Sequence, residues 1–277
     1  MKIISDSSSN LLRFQGADYA TVPLKVIAGA KEYVDDEALD VAAMMDELKT
    51  VKGKTHTSCP NVYEWKQAAG DAQEIVMITI TGSLSGSYAS ALEAARELRE
   101  EVPPRKVAVI NSLSTGPEMQ LLIERMQADI AAGATFEEVE ASVRAYHQHT
   151  HLLFALQCMD NLARNGRVNP LVAKMAGFLG IHAIGEASAE GKLQMLHKAR
   201  GRQKAAEVIY AEMEKNGYAG GKVRIAHSRN AEAANAMAGR IRAAYPDAPV
   251  EIVPATALCS FYAEEGGLLI GYEDGGC

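Results

Sequence analysis

Hydrophobic and polar positions in the first half of the chain alternate between two kinds of segment. Short β-branched runs at 2–5, 19–26, 75–80 and 107–110 are each followed by turn residues and predict strands. Helical stretches at 40–48, 62–69, 88–99, 118–131 and 136–147 lie between or after them. This alternation predicts a parallel sheet flanked by helices, with ligands bound at the carboxyl ends of the strands. Residues 132–135 join two helices and do not mark a domain boundary. From residue 152 the pattern changes. Strands are predicted at 152–156, 181–185, 192–197, 223–227, 250–253 and 268–272, with long helices at 202–216 and 231–244. The expected fold class is therefore α/β with two domains: an N-terminal α/β domain over 1–150 and a C-terminal α+β domain over 151–277. No internal repeat or low-complexity tract interrupts them.

Composition narrows the function. The 277 residues are 48% hydrophobic and 23% charged, ordinary for a globular chain with room for two cores. A net charge of -7 disfavours a general nucleic-acid or anionic-membrane surface. No apolar run approaches the ~20 residues of a membrane span, and no apolar signal region opens the chain. Stable membrane insertion is not expected, and a cytoplasmic setting is. Cys59, Cys158, Cys259 and Cys277 form no C-x-x-C pair and read as reduced thiols. No P-loop or G-x-G-x-x-G signature is present, so neither autonomous nucleotide use nor a cofactor is expected.

Two hydroxyl-rich segments carry the candidate chemistry. Residues 80–88, Ile-Thr-Gly-Ser-Leu-Ser-Gly-Ser-Tyr, sit where a predicted strand gives way to a helix. Such a turn gathers side-chain oxygens and unpaired helix N–H groups around one point, where the helix dipole favours an anion. Thr57-Ser58-Cys59-Pro60 is a second cluster that also leads into a helix. Ser7, Ser83 and Ser112 each follow a strand end and are expected on one sheet edge. An acidic small-molecule head group is the natural guest. A plainer role for Ser83, Ser85 and Ser87 is to cap the helix. The rival function is a serine-dependent hydrolase or acyltransferase acting through Ser85. Gly82-Ser83-Leu84-Ser85-Gly86 is not a G-x-S-x-G elbow, however, and that chemistry also needs a histidine base.

Other side chains compete for attention. Arg164, Arg167, Arg200 and Arg202 form a basic exception in an acidic chain. Arg167 and Arg200 are the candidates for a pocket mouth, meeting a partner or a phosphate. His147, His149 and His151 alternate near a predicted helix end, with no motif completing a metal set, so no metal is expected. Asp6 with Ser7 is placed to bind a cation or to cap a helix.

The motifs, taken in order, resemble the DegV family. Ser5-Asp6-Ser7 is similar to its "TDS", Pro23-Leu24 with Tyr33-Val34-Asp35 to its "PL…Y.D", and Thr57-Ser58-Cys59-Pro60 to its "TSQP". Leu84-Ser85-Gly86-Ser87-Tyr88 resembles "LSGTY", Asn111-Ser112 "DS", Asn165-Gly166-Arg167-Val168 "GGRI" and Ala199-Arg200-Gly201-Arg202 "ARGR". The resemblance implies a two-domain protein that binds one long-chain fatty acid as its ligand. In some members it implies a binding subunit that presents the acyl carboxylate to an ATP-dependent fatty acid kinase subunit. It implies carboxylate contacts at Thr57 and Ser85, with Ser58 beside them. The family's third contact, a histidine in "HTGPG", has no counterpart, because this chain reads Cys259-Ser260-Phe261-Tyr262-Ala263 there. Tyr262 or Ser260 stands in its place; a tyrosine hydroxyl can donate to a carboxylate but brings no imidazolium charge. The apolar stretch with Val172, Met175, Phe178, Leu179 and Ile181 is implied to help line the acyl tunnel.

Overall fold

The computed structural model describes residues 1–174 and 180–276. Met175, Phe178 and Leu179 of the implied tunnel, and Cys277, lie outside the described residues. In chain order the first elements are β1 (Lys2–Asp6), β2 (Asp18–Val22), β3 (Lys25–Ala28), β4 (Lys31–Val34), α1 (Val41–Thr50), β5 (Thr55–Ser58) and α2 (Val62–Ala69). β6 (Glu74–Thr79), α3 (Ser87–Arg99), β7 (Lys106–Asn111), α4 (Pro117–Ala131) and α5 (Phe136–Tyr146) follow. The rest comprises β8 (Thr150–Leu156), α6 (Asp160–Arg164), α7 (Pro170–Ala173), β9 (Ile181–Ala187), β10 (Leu193–Arg200), α8 (Arg202–Lys215), β11 (Val223–His227), α9 (Ala231–Ala244), β12 (Val250–Pro254), α10 (Ala257–Ala263) and β13 (Leu268–Glu273).

The first sheet is parallel, in the order β2-β1-β6-β7. Its apolar strands are buried on both faces, as helix-covered parallel strands must be. Along β6, Val76 and Ile78 pack under α4 and α5, while Ile75 and Met77 pack under α2 and α3. The second sheet is mixed, in the order β10-β9-β8-β13-β11-β12, and takes all its strands from Thr150 onward. Its own alternation splits two cores. Leu153 and Ala155 of β8 face α8 and α9, whereas Leu152, Phe154 and Leu156 face the first sheet's side.

One predicted strand is corrected. The run 19–26 is two strands, because Pro23 has no N–H to donate and the Leu24 N–H bonds the Ser7 hydroxyl at 2.9 Å. The chain there leaves the parallel sheet for a small antiparallel one, β4-β3-β5, absent from the sequence reading. Val26, Tyr33 and Met44 in and beside this small sheet pack against Ala257 and Phe261 of α10.

The two larger sheets meet along α4. Gly271 of β13 lies so close to its start that a Cβ would stand 2.5 Å from the backbone of Pro117 and Glu118. Arg224 of β11 forks onto both carboxylate oxygens of Glu124 at 2.6 and 2.7 Å. Among the described residues no helix is long and apolar enough to cross a membrane.

Candidate functional site

Between the sheets lies a cavity enclosing about 690 Å³ of empty space, counted with its open mouth. Its body is apolar. Leu152, Phe154 and Leu156 present one face of β8, and Leu269 adds to it as the register partner of Phe154. Leu24, Ile80, Leu84, Leu162, Leu193 and Leu258 close the remaining sides.

Four polar side chains from separate elements gather in its wall. Thr57 comes from β5, and its hydroxyl lies 2.7 Å from the Tyr262 hydroxyl of α10. Only one of these two protons is used between them, so the accepting hydroxyl can donate to a guest. Ser85 comes from the β6–α3 turn, which is closed by the Leu84 and Ser85 N–H groups on the Thr81 carbonyl. Gly86 lets this turn approach β5: a Cβ there would meet the Cys59 sulfur at 3.1 Å. The fourth is Arg167, whose Nε donates to the Leu84 carbonyl at 3.2 Å and whose Nη1 donates to the Asn165 carbonyl. The guanidinium therefore sits one residue from Ser85, and it favours the ionised form of Tyr262, whose pKa burial raises overall. Thr115 and Cys259 also reach the wall; burial pushes the Cys259 thiol up to about 12, so it is present as a neutral thiol.

Buried carboxylates hold these elements in place. Asp6 is fully buried and accepts from the Ser87 hydroxyl at 2.5 Å, the Ile80 N–H at 3.0 Å and the Ser8 hydroxyl. Its side chain makes no capping bond to the short helical turn at Ser7–Ser9; through the Ser87 hydroxyl it pins β1 to the start of α3. Asp35 accepts from the Ala257 N–H at 2.7 Å, the Leu258 N–H at 3.1 Å and the Thr256 hydroxyl at 3.2 Å. It thus caps α10 from across the chain. Burial raises its pKa to about 6.

The predicted site residues part company here. Thr57, Ser85, Tyr262 and Arg167 line the cavity. Ser58, next along β5, is not in the wall, as strand alternation requires, and its hydroxyl donates to the Cys59 carbonyl. Ser260 is buried with its hydroxyl donated to the Ala255 carbonyl at 2.9 Å, and it too is absent from the wall. Arg200 is exposed at the end of β10 and does not line the cavity. Val172 and Ile181 do not line it either. The helix-cap role falls to Ser85 in part, since its oxygen accepts the Ser87 N–H at 3.2 Å. Ser83 instead bonds the Glu190 carbonyl, and Ser7 and Ser112 bond backbone groups. No histidine is among the described residues of the wall, so Ser85 has no imidazole base there. His149 and His151 both bond Asp274, and no group able to hold a metal occurs among the described residues. The leucines of β8 and β13 escaped the functional reading because nothing in their sequence separates a cavity wall from core.

This architecture has known counterparts. The model of the DegV family matches residues 1–274. A DegV domain-containing protein of Streptococcus pyogenes serotype M1 is 42% identical over 276 residues, covering 98% of this chain and 99% of its own. Among solved structures, the Streptococcus pneumoniae fatty acid kinase (Fak) B3 protein, loaded with linoleic acid, superposes with a TM-score of 0.96 at 40% identity over 98% of each chain. A DegV family protein from Eubacterium eligens, loaded with heptadecanoic acid, gives 0.96 at 40% identity over 99% of each.

Proposed function

The chain belongs to the DegV family, and from that premise we propose that it binds one long-chain fatty acid in the cavity between its sheets. The carboxylate lies against Thr57, Ser85 and Tyr262, with the Arg167 guanidinium as its counter-charge. The tail runs along the leucines of β8, β13 and α10. The observation that carries this reading is the convergence of the Thr57, Ser85 and Tyr262 hydroxyls and the Arg167 guanidinium in a mainly apolar cavity. A buried carboxylate without such donors would take up a proton. Charge-assisted hydrogen bonds contribute roughly 1.5–3 kcal/mol each, and the tail about 0.8 kcal/mol per buried methylene. Affinity therefore resides mostly in the tail and orientation in the head group. Arg167 supplies the positive charge that Tyr262 cannot.

Both parts of the chain contribute. The segment 1–150 supplies Thr57 and Ser85 with Leu24, Ile80 and Leu84 of the wall, and the segment 151–277 supplies most of the apolar wall together with Tyr262 and Arg167. The protein is a binding protein that needs no cofactor of its own. By likeness to the pneumococcal structure, it presents the head group to an ATP-dependent kinase subunit, with exposed Arg200 as a contact for that partner. The reduced cysteines and the acidic surface suit a cytoplasmic carrier that neither binds nucleic acid nor inserts in membranes. Native mass spectrometry of the purified protein, followed by solvent extraction, tests the reading. A one-to-one adduct that extracts as a long-chain fatty acid is the expected result. An apo mass that stays unchanged after incubation with fatty acids overturns it.

A further inference from the structure

The tip of the hairpin formed by β9 and β10 reaches from the edge of the second sheet to the turn that carries Ser85. This tip, residues 188–192, is closed by its own bonds. The Ser188 N–H donates to the Lys192 carbonyl at 2.8 Å, and the Gly191 N–H donates to the Ser188 carbonyl at 2.7 Å. The Ser188 hydroxyl accepts the N–H groups of Glu190 and Lys192 at 3.3 and 3.2 Å. The shape of the tip is therefore set locally, before it rests on anything.

It rests on the segment 1–150 at two points. The Ser83 hydroxyl donates to the Glu190 carbonyl at 2.6 Å. Gly191 is buried, and a Cβ there would stand 2.1 Å from the Thr81 hydroxyl oxygen and 3.0 Å from the Leu113 Cα. Its φ of 70° is also one that side chains disfavour. The backbone of the tip thus meets Thr81 with no side chain between them.

Thr81 is the residue around which the Ser85 turn is wound. It is buried, its carbonyl accepts the Leu84 and Ser85 N–H groups at 3.2 and 3.3 Å, and its hydroxyl accepts the Ser83 N–H at 3.2 Å. Three amides of the turn depend on this one residue, and Gly191 packs against it from outside. Arg167 braces the same turn from its other partner, the Leu84 carbonyl.

We propose that Ser83 and Gly191 are positioning residues for the head-group site: the docked hairpin tip fixes the turn so that Ser85 Oγ meets the carboxylate. The proposal rests on the fatty-acid reading above and adds a dependence between the two segments. The segment 151–277 not only walls the tail but also seats a hydroxyl that belongs to the segment 1–150. The same hairpin places Leu193 in the cavity wall, two residues beyond Gly191, so one element sets both tail wall and head group.

Calorimetric titration of the delipidated full-length protein with hexadecanoic acid and with hexadecanol provides the test. The two probes share a tail, and only the acid draws on charge-assisted bonds at the head-group site. A loss of positioning lowers acid binding selectively, whereas a general disturbance of the hairpin shifts Leu193 and lowers both alike. Ser83→Ala, at an exposed position, is expected to weaken the acid about fivefold and the alcohol less than about twofold. Ser83→Thr keeps the hydroxyl and stays within about twofold of the wild type for both probes. Gly191→Ala pushes the tip off Thr81 and costs about tenfold or more in acid binding, with the same selectivity; should it fail to fold, the two Ser83 variants carry the comparison. Equal losses for acid and alcohol, or unchanged acid affinity in Ser83→Ala, overturn the proposal while leaving fatty-acid binding intact. A wild type that binds neither probe overturns the fatty-acid reading itself, and the proposal with it.

Discussion

Replacing Asp35 by asparagine tests how the helix carrying Tyr262 is held. The Asp35 carboxylate is buried and accepts two backbone N–H groups and the Thr256 hydroxyl at the start of α10. No basic side chain bonds it, and desolvation outweighs its donors, so its pKa rises from 3.8 to about 6. The native state then keeps a proton that the unfolded chain has released. This group's contribution to stability is complete below the unfolded value and is lost as the pH rises through the folded one. At about 1.36 kcal/mol per pH unit, a rise from 3.8 to about 6 corresponds to roughly 3 kcal/mol. The carboxamide of the variant cannot titrate, and every other carboxylate is common to both proteins. Urea unfolding of the wild type and Asp35→Asn at steps between about pH 4 and pH 7 isolates the term. The stability of wild type minus variant should fall by about 2.4 kcal/mol across that window, most of the roughly 3 kcal/mol limit. A difference that stays flat, or that grows with pH, refutes the reasoning and means the donors at α10 already compensate the charge.

Three further outcomes concern the cavity. Tyr262→Phe removes the hydroxyl paired with Thr57 and is expected to weaken fatty-acid binding about ten- to hundredfold; displacement of a fluorescent fatty acid measures this, and unchanged affinity removes Tyr262 from the head-group site. Ser260→Ala deletes a bond to the Ala255 carbonyl, so stability should drop by about 1 kcal/mol while affinity holds; an affinity loss matching that of Tyr262→Phe would restore Ser260 to the site. Phe154→Ala empties a side chain that is 1% exposed and should destabilise the ligand-free protein by about 3–5 kcal/mol, with part of the loss recovered in calorimetry on adding a saturating long-chain acid.

Much of this was visible along the chain, because most elements carry their own signal. The β-branched runs of β1, β6 and β7, the strands of the second sheet and the long helices α8 and α9 declare themselves locally. What escaped is held by partners far away in sequence. β4 and β5 read KEYV and THTS, too short and polar to show a buried face, and they exist as strands because β3 pairs with both. α10 has seven residues, and the carboxylate that caps it lies 222 positions earlier. Thr57 and Ser85, which line the cavity, could be picked out as candidates because their hydroxyls stand in short segments rich in such groups. The choice between Tyr262 and Ser260 depends on which face of an unforeseen helix meets the cavity. Arg167 was noticed for its charge, but its place beside Ser85 is set by the Leu84 carbonyl, 83 residues away.

β8 writes two separate messages on alternate residues. Leu153 and Ala155 belong to the core beneath α8 and α9, while Leu152, Phe154 and Leu156 belong to the cavity. Substitutions at the even positions can reshape the space for a tail without touching the side chains that hold the second sheet to its helices. Ligand preference and fold integrity are thus inherited on one strand yet free to change separately, and related chains can diverge in the acids they accept while keeping the same backbone. The same economy carries a hazard: a slip of one residue in the pairing of β8 with β13 would exchange the two sets at once.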